Sequence, residues 1–506
     1  MYNKAQTFWG YLYMKNISKI VVSAVAVTGI LGTVLGVHFG YAKKTDDFKN
    51  YTVETNGQPL KVGIISDLQL PNTTKKSTHQ YKSFEKTLAA MKSRNMDALI
   101  IAGDFTDLSA KSAWNTFKEI YDNVMADAKK PIPLYIMGNH DYWLDTFSKA
   151  KEIPTPAKQQ RRFTKYTGEY PYSHKTINGY HFIGWSSSNG SYDESYKKEK
   201  WIRQELDKAV KDDPTKPIFI ITHLKPSDTV YGSDKWGNDD IQRILKDYSQ
   251  VISISGHSHY SILDERSIWQ GDFTAFTTQS LDYIELETGK FNGSIPKDAY
   301  GNTMAEQLPA SLFMNIENDK ITVERLNANT GDAIKEPWVI EAPFDKPKKY
   351  TNDRMSINQA PVLDENINVS ISKITDINKK EQKIIAFKAG NDDNFVHSYK
   401  IQFKDKNKNT LKFTETDYDG NINHYDENGE KITDNKNHKY VNTKEIEELL
   451  YFSDFTLGLD NMSETVKLRL PSTMPKETEY IAITAIDSWD AESKAVLCKI
   501  KQRKKI

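Results

Sequence analysis

Beyond Leu60 the chain alternates short apolar runs with longer segments whose apolar positions recur every three or four residues. LKVGIISD predicts a strand ending at Asp67, HQYKSFEKTLAAMKSRN a helix, and MDALIIAGD a second strand ending at Asp104. SAWNTFKEIYDNVMADAK continues as a helix and IPLYIMGNHD as a strand that stops at Asn139, His140 and Asp141. YHFIGWSS, KPIFIITH and VISISGHSH read as further strands, separated by the helical patterns DESYKKEKWIRQELDKAVKD and NDDIQRILKDYSQ. Strands alternating with helices imply a layered α/β domain with helices outside. Chemistry-bearing residues arrive where strands stop: Asp67, Asp104, Asn139 to Asp141, His223, then His257 and His259. Ligands of such sheets collect at the carboxyl ends of strands, so these residues predict one assembled centre.

On extended backbone residues two apart face the same way, so His257 and His259 can converge on one point or on two neighbouring ones. Taken singly, each polar residue also fits a helix cap or a surface loop. Capping does not call for His223, His257 and His259 together. Carboxylate, amide and imidazole donors suit Zn²⁺, Mn²⁺ or iron, and a chain with one cysteine has no material for soft-metal or iron–sulfur sites. The donors suffice for two ions. Such a pair, about 3.5–4 Å apart, clamps the attacking and leaving oxygens of a phosphoryl transfer and activates water as hydroxide.

The motifs SDLQL, AGDFTD, MGNHDYW, ITHLKP and SGHSHY, in this order and strand context, resemble the calcineurin-like metallophosphoesterase superfamily over roughly Leu60 to Leu326. The resemblance implies a four-layer α/β/β/α sandwich and a dinuclear centre of Mn, Fe or Zn, with Mn favoured. In it Asp104 bridges the ions, Asn139, His223 and His257 complete one site, and Asp67 and His259 belong to the other. His140 binds no metal, lies over the phosphate and protonates the leaving group, while Asp141 orients it. The implied activity is metal-dependent hydrolysis of phosphate mono- or diesters by activated hydroxide. One position departs from the family: its first motif ends in His, and here Gln69 stands there, a weaker oxygen donor. The purple acid phosphatases also lack that His and use a Tyr three residues after the bridging Asp, where this chain has Asp107. Gln69 favours an alternative, a degenerate fold acting as a cell-envelope binding protein; His140 and the intact remainder favour the enzyme.

Tyr231 and Trp236, in a Gly- and aromatic-rich segment after His223, border the expected cleft, for stacking on substrate or for packing among loop residues. The N-terminus holds an uncharged, mostly apolar run over residues 20–42, preceded by Lys4, Lys15 and Lys19 and followed by Lys43 and Lys44. That length crosses a bilayer and the basic flank is that of an export signal. Residues 1–42 are therefore expected to be a signal peptide or membrane anchor, placing the rest outside the cytoplasmic membrane, secreted or tethered, with a membrane or cell-envelope partner. The 68 basic and 68 acidic residues balance and give no reason to expect a nucleic-acid partner.

The expected division is a phosphoesterase domain over 60–335, a Pro- and Lys-rich linker over 336–360, and a separate antiparallel β-sandwich over 361–506. FTAFTTQSLDYIELE and ASLFMNIENDKITVERLNANTG complete the first domain as strands. The last region alternates in strand fashion in INVSISKITD, KIIAFKAG, VHSYKIQFKDK, TVKLRLP and EYIAITAIDSWDAES, with a short helix over NTKEIEELLYF. It resembles a fibronectin type III module and is expected to supply no catalytic group. Cys498 reads as a small core residue.

Overall fold

The structure, a computed structural model, describes residues 48–143, 155–190, 196–285, 308–317, 320–342, 347–375, 381–416, 421–432 and 441–500. The signal or anchor expectation falls on residues outside these. Among the described residues no helix is long and apolar enough to cross a membrane.

Two mixed sheets form the body of the molecule. One has the strands β1 (Phe48–Tyr51), β5 (Tyr172–Ile177), β6 (Tyr180–Trp185), β7 (Ile218–Ile221), β8 (Val251–Ser255), β10 (Thr274–Thr277) and β9 (Ile268–Gln270), in that spatial order. The other runs β13 (Ala333–Glu341), β12 (Lys320–Asn327), β11 (Ala310–Glu317), β2 (Leu60–Ile65), β3 (Ala98–Ala102), β4 (Ile132–Ile136). Strands β2, β3 and β4 are parallel to one another, as are β6, β7, β8 and β10. Their carboxyl ends therefore lie together, which is the geometric condition for one shared centre.

The sheets face each other across a core that includes Ile64, Ile100, Leu134, Phe182, Phe219, Ile254 and Met314. Outside the second sheet lie α1 (His79–Ser93), α2 (Lys111–Val124) and α3 (Pro156–Thr167). The first two turn Phe84, Leu88 and Met91, and Trp114, Phe117 and Ile120, inward at helical spacing. Outside the first sheet lie α4 (Glu199–Asp212) and α5 (Asp239–Leu245), which bury Ile202, Leu206, Ile241 and Leu245. The result is the expected four-layer α/β/β/α sandwich. Because parallel strands are covered on both faces, they read as continuous apolar runs, and that made them visible in the sequence.

The C-terminal region forms two further antiparallel sheets. Strands β14 (Ser370–Thr375), β15 (Glu381–Lys388) and β18 (Thr465–Arg469) make one; β17 (Leu449–Phe452), β16 (Ser398–Lys404), β19 (Tyr480–Ile486) and β20 (Val496–Lys499) make the other. They share a core of Ile385, Phe387, Tyr399, Ile401, Leu468, Ile481 and Ile483, in which Cys498 is buried as a free thiol.

Five segments depart from the sequence reading. The expected linker over 336–360 begins inside β13, which pairs with β12 and completes the second sheet. Its Pro337 disguised it, yet a proline is tolerated on an edge strand, where its missing N–H costs no ladder bond. The helix expected over NTKEIEELLYF is strand instead: Leu449, Tyr451 and Phe452 are buried, and β17 pairs with β16. The pattern passed over β1, α3 and β5. Of α3 only Gln159 and Phe163 are buried, too few to mark a helical face.

Candidate metal centre

Each motif residue sits just past a strand end, in backbone that must turn abruptly. Asp67, Gln69, Asp104, His257 and His259 all have positive φ, at 52, 47, 54, 73 and 55°. Left-handed backbone is uncommon outside glycine, and such strain clusters where function over-determines geometry. The glycines of the motifs serve close approach. A Cβ on Gly103, itself at φ +94°, would lie 2.4 Å from His223 Nδ1; one on Gly138 would lie 2.2 Å from Asp104 Oδ1.

Asp104 is the hub. Its Oδ1 accepts the backbone N–H of His140 at 2.9 Å, which turns Oδ2 toward the other motif residues. His223 Nδ1 donates to the carbonyl of Ala102 at 2.7 Å, which turns Nε2 toward the other motif residues. His223 Nε2 lies 3.2 Å from Asp104 Oδ2, 3.1 Å from Asn139 Oδ1 and 3.2 Å from His257 Nδ1. A tetrahedron with metal–ligand bonds of about 2.0–2.1 Å has edges of about 3.3 Å, so the donor set has the dimensions of a metal site. Asp104, His223 and His257 form a cluster with its ligand atoms within 4.8 Å of one another.

A second group adjoins it. Asp67 Oδ2 is held by Ser66 Oγ and by the N–H of His257 at 3.1 Å, so Oδ1 faces His259 Nε2 at 3.1 Å. Asp67 Oδ1, Gln69 Oε1, Asn139 Nδ2, His257 Nε2 and His259 Nδ1 are buried without a hydrogen-bond partner. Such a concentration of unpartnered polar atoms is rare in interiors. Burial would raise Asp67, but His259 and His223 hold its carboxyl well below the usual range. Burial and the adjacent His223 push His257 well below the usual imidazole range, which keeps it neutral.

Gln69 differs from a ligand in one respect. Its Nε2 donates to Asp104 Oδ2 at 3.0 Å, so the amide nitrogen, which cannot coordinate, faces the hub. His140 sits apart from the donor set, with Nε2 3.9 Å from Asp104 Oδ2 and its ring against Trp143 at 3.7 Å between centroids. Its Nδ1 lies 2.8 Å from the carbonyl of Asp107. Burial opposes its charge, yet Asp104 and Asp107 together lift it to about 9.

Asp141 does not orient His140. Its Oδ2 accepts from the backbone N–H groups of Phe105 and Gly138 at 3.3 and 3.2 Å, and its Oδ1 from Thr106 N and Oγ1 at 3.1 Å each. The carboxylate thus ties the loop after β3 to the loop after β4, and the carbonyl of Asp107 takes the orienting role. Within the short 3₁₀ turn His140–Tyr142, adjacent side chains diverge too far for the expected pairing. Burial and the charge of Asp104 raise Asp141 to about 7, against the four donors, which favour its ionised form.

Several supporting residues escaped the sequence reading. Lys225 is fully buried and donates Nζ to Gly256 O at 2.6 Å and Ser258 Oγ at 2.7 Å, fixing the His257–His259 loop; burial drives it down to about 7 against the pull of Asp67. A lysine in the apolar context of ITHLKP was the available signal. Tyr196 Oη accepts from the backbone N–H groups of His223 and Leu224 at 3.1 Å each. Of the cleft aromatics, Trp236 packs edge-on to His257 at 5.2 Å and Tyr231 packs tilted against Tyr260 at 4.6 Å.

Residues 60–261 match the calcineurin-like phosphoesterase family model, the model of a family that binds dinuclear metal ions. No curated protein matches the chain. Among solved structures, it is similar to GAP50, the anchor in the inner membrane complex of Plasmodium, at 15% identity over 58% of this chain and 91% of that one, TM-score 0.37. It is also similar to a purple acid phosphatase from yellow lupin seeds, at 13% identity over 56% and 54% of the two chains, TM-score 0.39. A Streptococcus pneumoniae protein described as a predicted phosphoesterase shares 11% identity over 56% and 97%, TM-score 0.24.

Proposed function

We propose that the protein is an active dinuclear-metal hydrolase of phosphate mono- or diesters, working outside the cytoplasmic membrane. The observation that carries this is the convergence of His223 Nε2 with Asp104 Oδ2, Asn139 Oδ1 and His257 Nδ1 at 3.1–3.2 Å, the spacing of ligands about one cation. Asp104, Asn139, His223 and His257 would hold one ion, and Asp67 and His259 beside them would hold the other. When bound, the ions supply Lewis acidity to the phosphoryl oxygens and activate water. His140, its Nδ1–H on the Asp107 carbonyl, presents Nε2 to the substrate and gives a proton to the departing oxygen. Gln69 holds Asp104 Oδ2 from outside the ligand set.

Export rests on the basic-flanked apolar run over residues 20–42, which would tether or release the protein at the envelope. The three- and four-stranded antiparallel sheets of the C-terminal region support its reading as a fibronectin type III-like module. One observation favours a second reading, a binding protein without turnover: the Gln69 amide nitrogen faces the hub where the family presents an imidazole.

Metal analysis of purified protein, paired with a panel of chromogenic mono- and diesters, decides between them. Two ions per chain with Mn²⁺-dependent turnover, both abolished by Asp104→Ala, is the expected result. No turnover on any ester, with or without bound ions, overturns the enzyme and leaves the binding reading.

A further inference from the structure

We propose that the C-terminal sheets are part of the active-site machinery, through a strut of Tyr231 and His397 that fixes the loop carrying His257 and His259. The proposal rests on the metal-centre reading of that loop. Both histidines are held in left-handed backbone, a conformation that persists only when its surroundings over-determine it. On the inner side Lys225 and Asp67 supply that restraint. On the outer side the restraint comes from the C-terminal region.

Tyr260 follows His259 directly, and its ring packs tilted by 40° against Tyr231 with centroids 4.6 Å apart. The approach is close enough that a Cβ on Gly232 would lie 2.6 Å from the Tyr260 ring. Tyr231 is itself tied to the far end of the loop: its backbone N–H donates to Arg266 O at 2.9 Å, and the Arg266 guanidinium lies 4.0 Å from the ring centroid. The Tyr231 hydroxyl meets His397 Nε2 at 3.1 Å. His397 stands just ahead of β16, is 1% exposed, and is stacked by Phe455 at 5.0 Å and met edge-on by Phe452 at 5.2 Å. A second tie runs parallel: Lys335 Nζ donates to Leu263 O at 3.0 Å and to Asn394 of the C-terminal region. Trp236, five residues beyond Tyr231, packs on His257.

A buried chain of contacts thus runs from the C-terminal core through His397, Tyr231 and Tyr260 to His259. Two rings and a hydrogen bond constrain the loop where no metal ligand does, and outer partners of this kind set ligand orientation. Tyr231 and His397 are positioning residues: neither reaches the reacting atoms. The module that the sequence offered as an accessory therefore bears on metal affinity.

The test uses the full chain. Tyr231→Phe, His397→Leu and their double variant are titrated with Mn²⁺, assayed for kcat and KM on a chromogenic ester, and compared by hydrogen–deuterium exchange over residues 256–263. Phe387→Leu, deep in the C-terminal core, is the control for simple destabilisation. Expected are an about tenfold weaker second ion in each single variant, faster exchange in the loop, and a kcat loss at unchanged KM. The double variant should be no worse than the worse single, because both cut one strut. His397→Gln, which keeps a hydrogen-bonding atom, should recover most of the affinity. A lowered Tm with wild-type ion affinity and wild-type loop exchange, as in the control, overturns the strut; so do fully additive single effects. If the wild type binds no ion pair and turns over nothing, the metal-centre reading fails first. The strut is then judged on loop exchange alone, and unchanged exchange in both single variants rejects it.

Discussion

Asp141→Asn separates two accounts of the residue after His140. If Asp141 oriented the imidazole, the substitution would change the pH profile of kcat and leave the fold alone. The contacts say otherwise. The carboxylate accepts four hydrogen bonds, two on each oxygen, from Phe105, Thr106 and Gly138. An asparagine keeps one oxygen, so one pair survives, while its NH₂ meets the other pair donor to donor. Two buried donors left unpaired, at about 1–3 kcal/mol each, give about 2–6 kcal/mol of destabilisation, less what is gained by removing a carboxyl that burial and Asp104 raise to about 7. For a domain of this size, each kcal/mol lowers Tm by about 2–4 °C, so the fall should be on the order of 10 °C. Thermal unfolding of metal-free protein reads it directly, away from any effect on bound ions. Because the two loops carry Asp104 and Asn139, ion affinity should fall with stability in the Mn²⁺ titration. A variant with wild-type Tm and wild-type ion binding but a shifted kcat profile would refute the brace and restore the orienting role.

His140→Ala should cut kcat by about 10²–10⁴-fold, the range for a lost general acid, while both ions stay bound in the metal analysis; an emptied site would make His140 a ligand. Gln69→Ala removes the amide that steadies Asp104 and should weaken the less tightly held ion by about tenfold, whereas Gln69→His should tighten it, both read by Mn²⁺ titration; equal affinities in all three proteins would detach Gln69 from the centre. Glu265 lies 2.9 Å from Arg325 Nη1 and 3.1 Å from Lys335 Nζ; burial would raise it, but those two cations hold it below the usual carboxylate range. A depressed folded pKa gives stability that is present above the unfolded value of about 4.3 and lost as pH falls through the folded one. Glu265→Gln should therefore lower Tm at neutral pH, and the gap to wild type should close below about pH 4; a gap that widens in acid contradicts the pairing.

The α/β alternation was legible because strands covered on both faces must be apolar throughout and their helices must turn one apolar face inward. The centre was legible for a related reason: its residues stand where apolar runs end, so each motif is local even though the site is not. Local pattern could not say which oxygen of Asp104 faces inward, because that depends on the His140 N–H 36 residues away. Nor could it separate Asp141 the brace from Asp141 the partner of His140, since its donors at Phe105 and Thr106 belong to another strand end. The edge strand β13 read as linker because Pro337 breaks propensity, and only pairing with β12 over Lys320–Asn327 made it strand. Leu449–Phe452 read as helix because one period of four residues fits either geometry, and burial against β16 chose the extended one. The contact of Tyr231 with His397, 166 residues apart, has no sequence signature at all. Sequence placed the candidate residues at strand ends; packing between distant segments decided how they are held, because orientation is fixed by partners that periodicity never brings together.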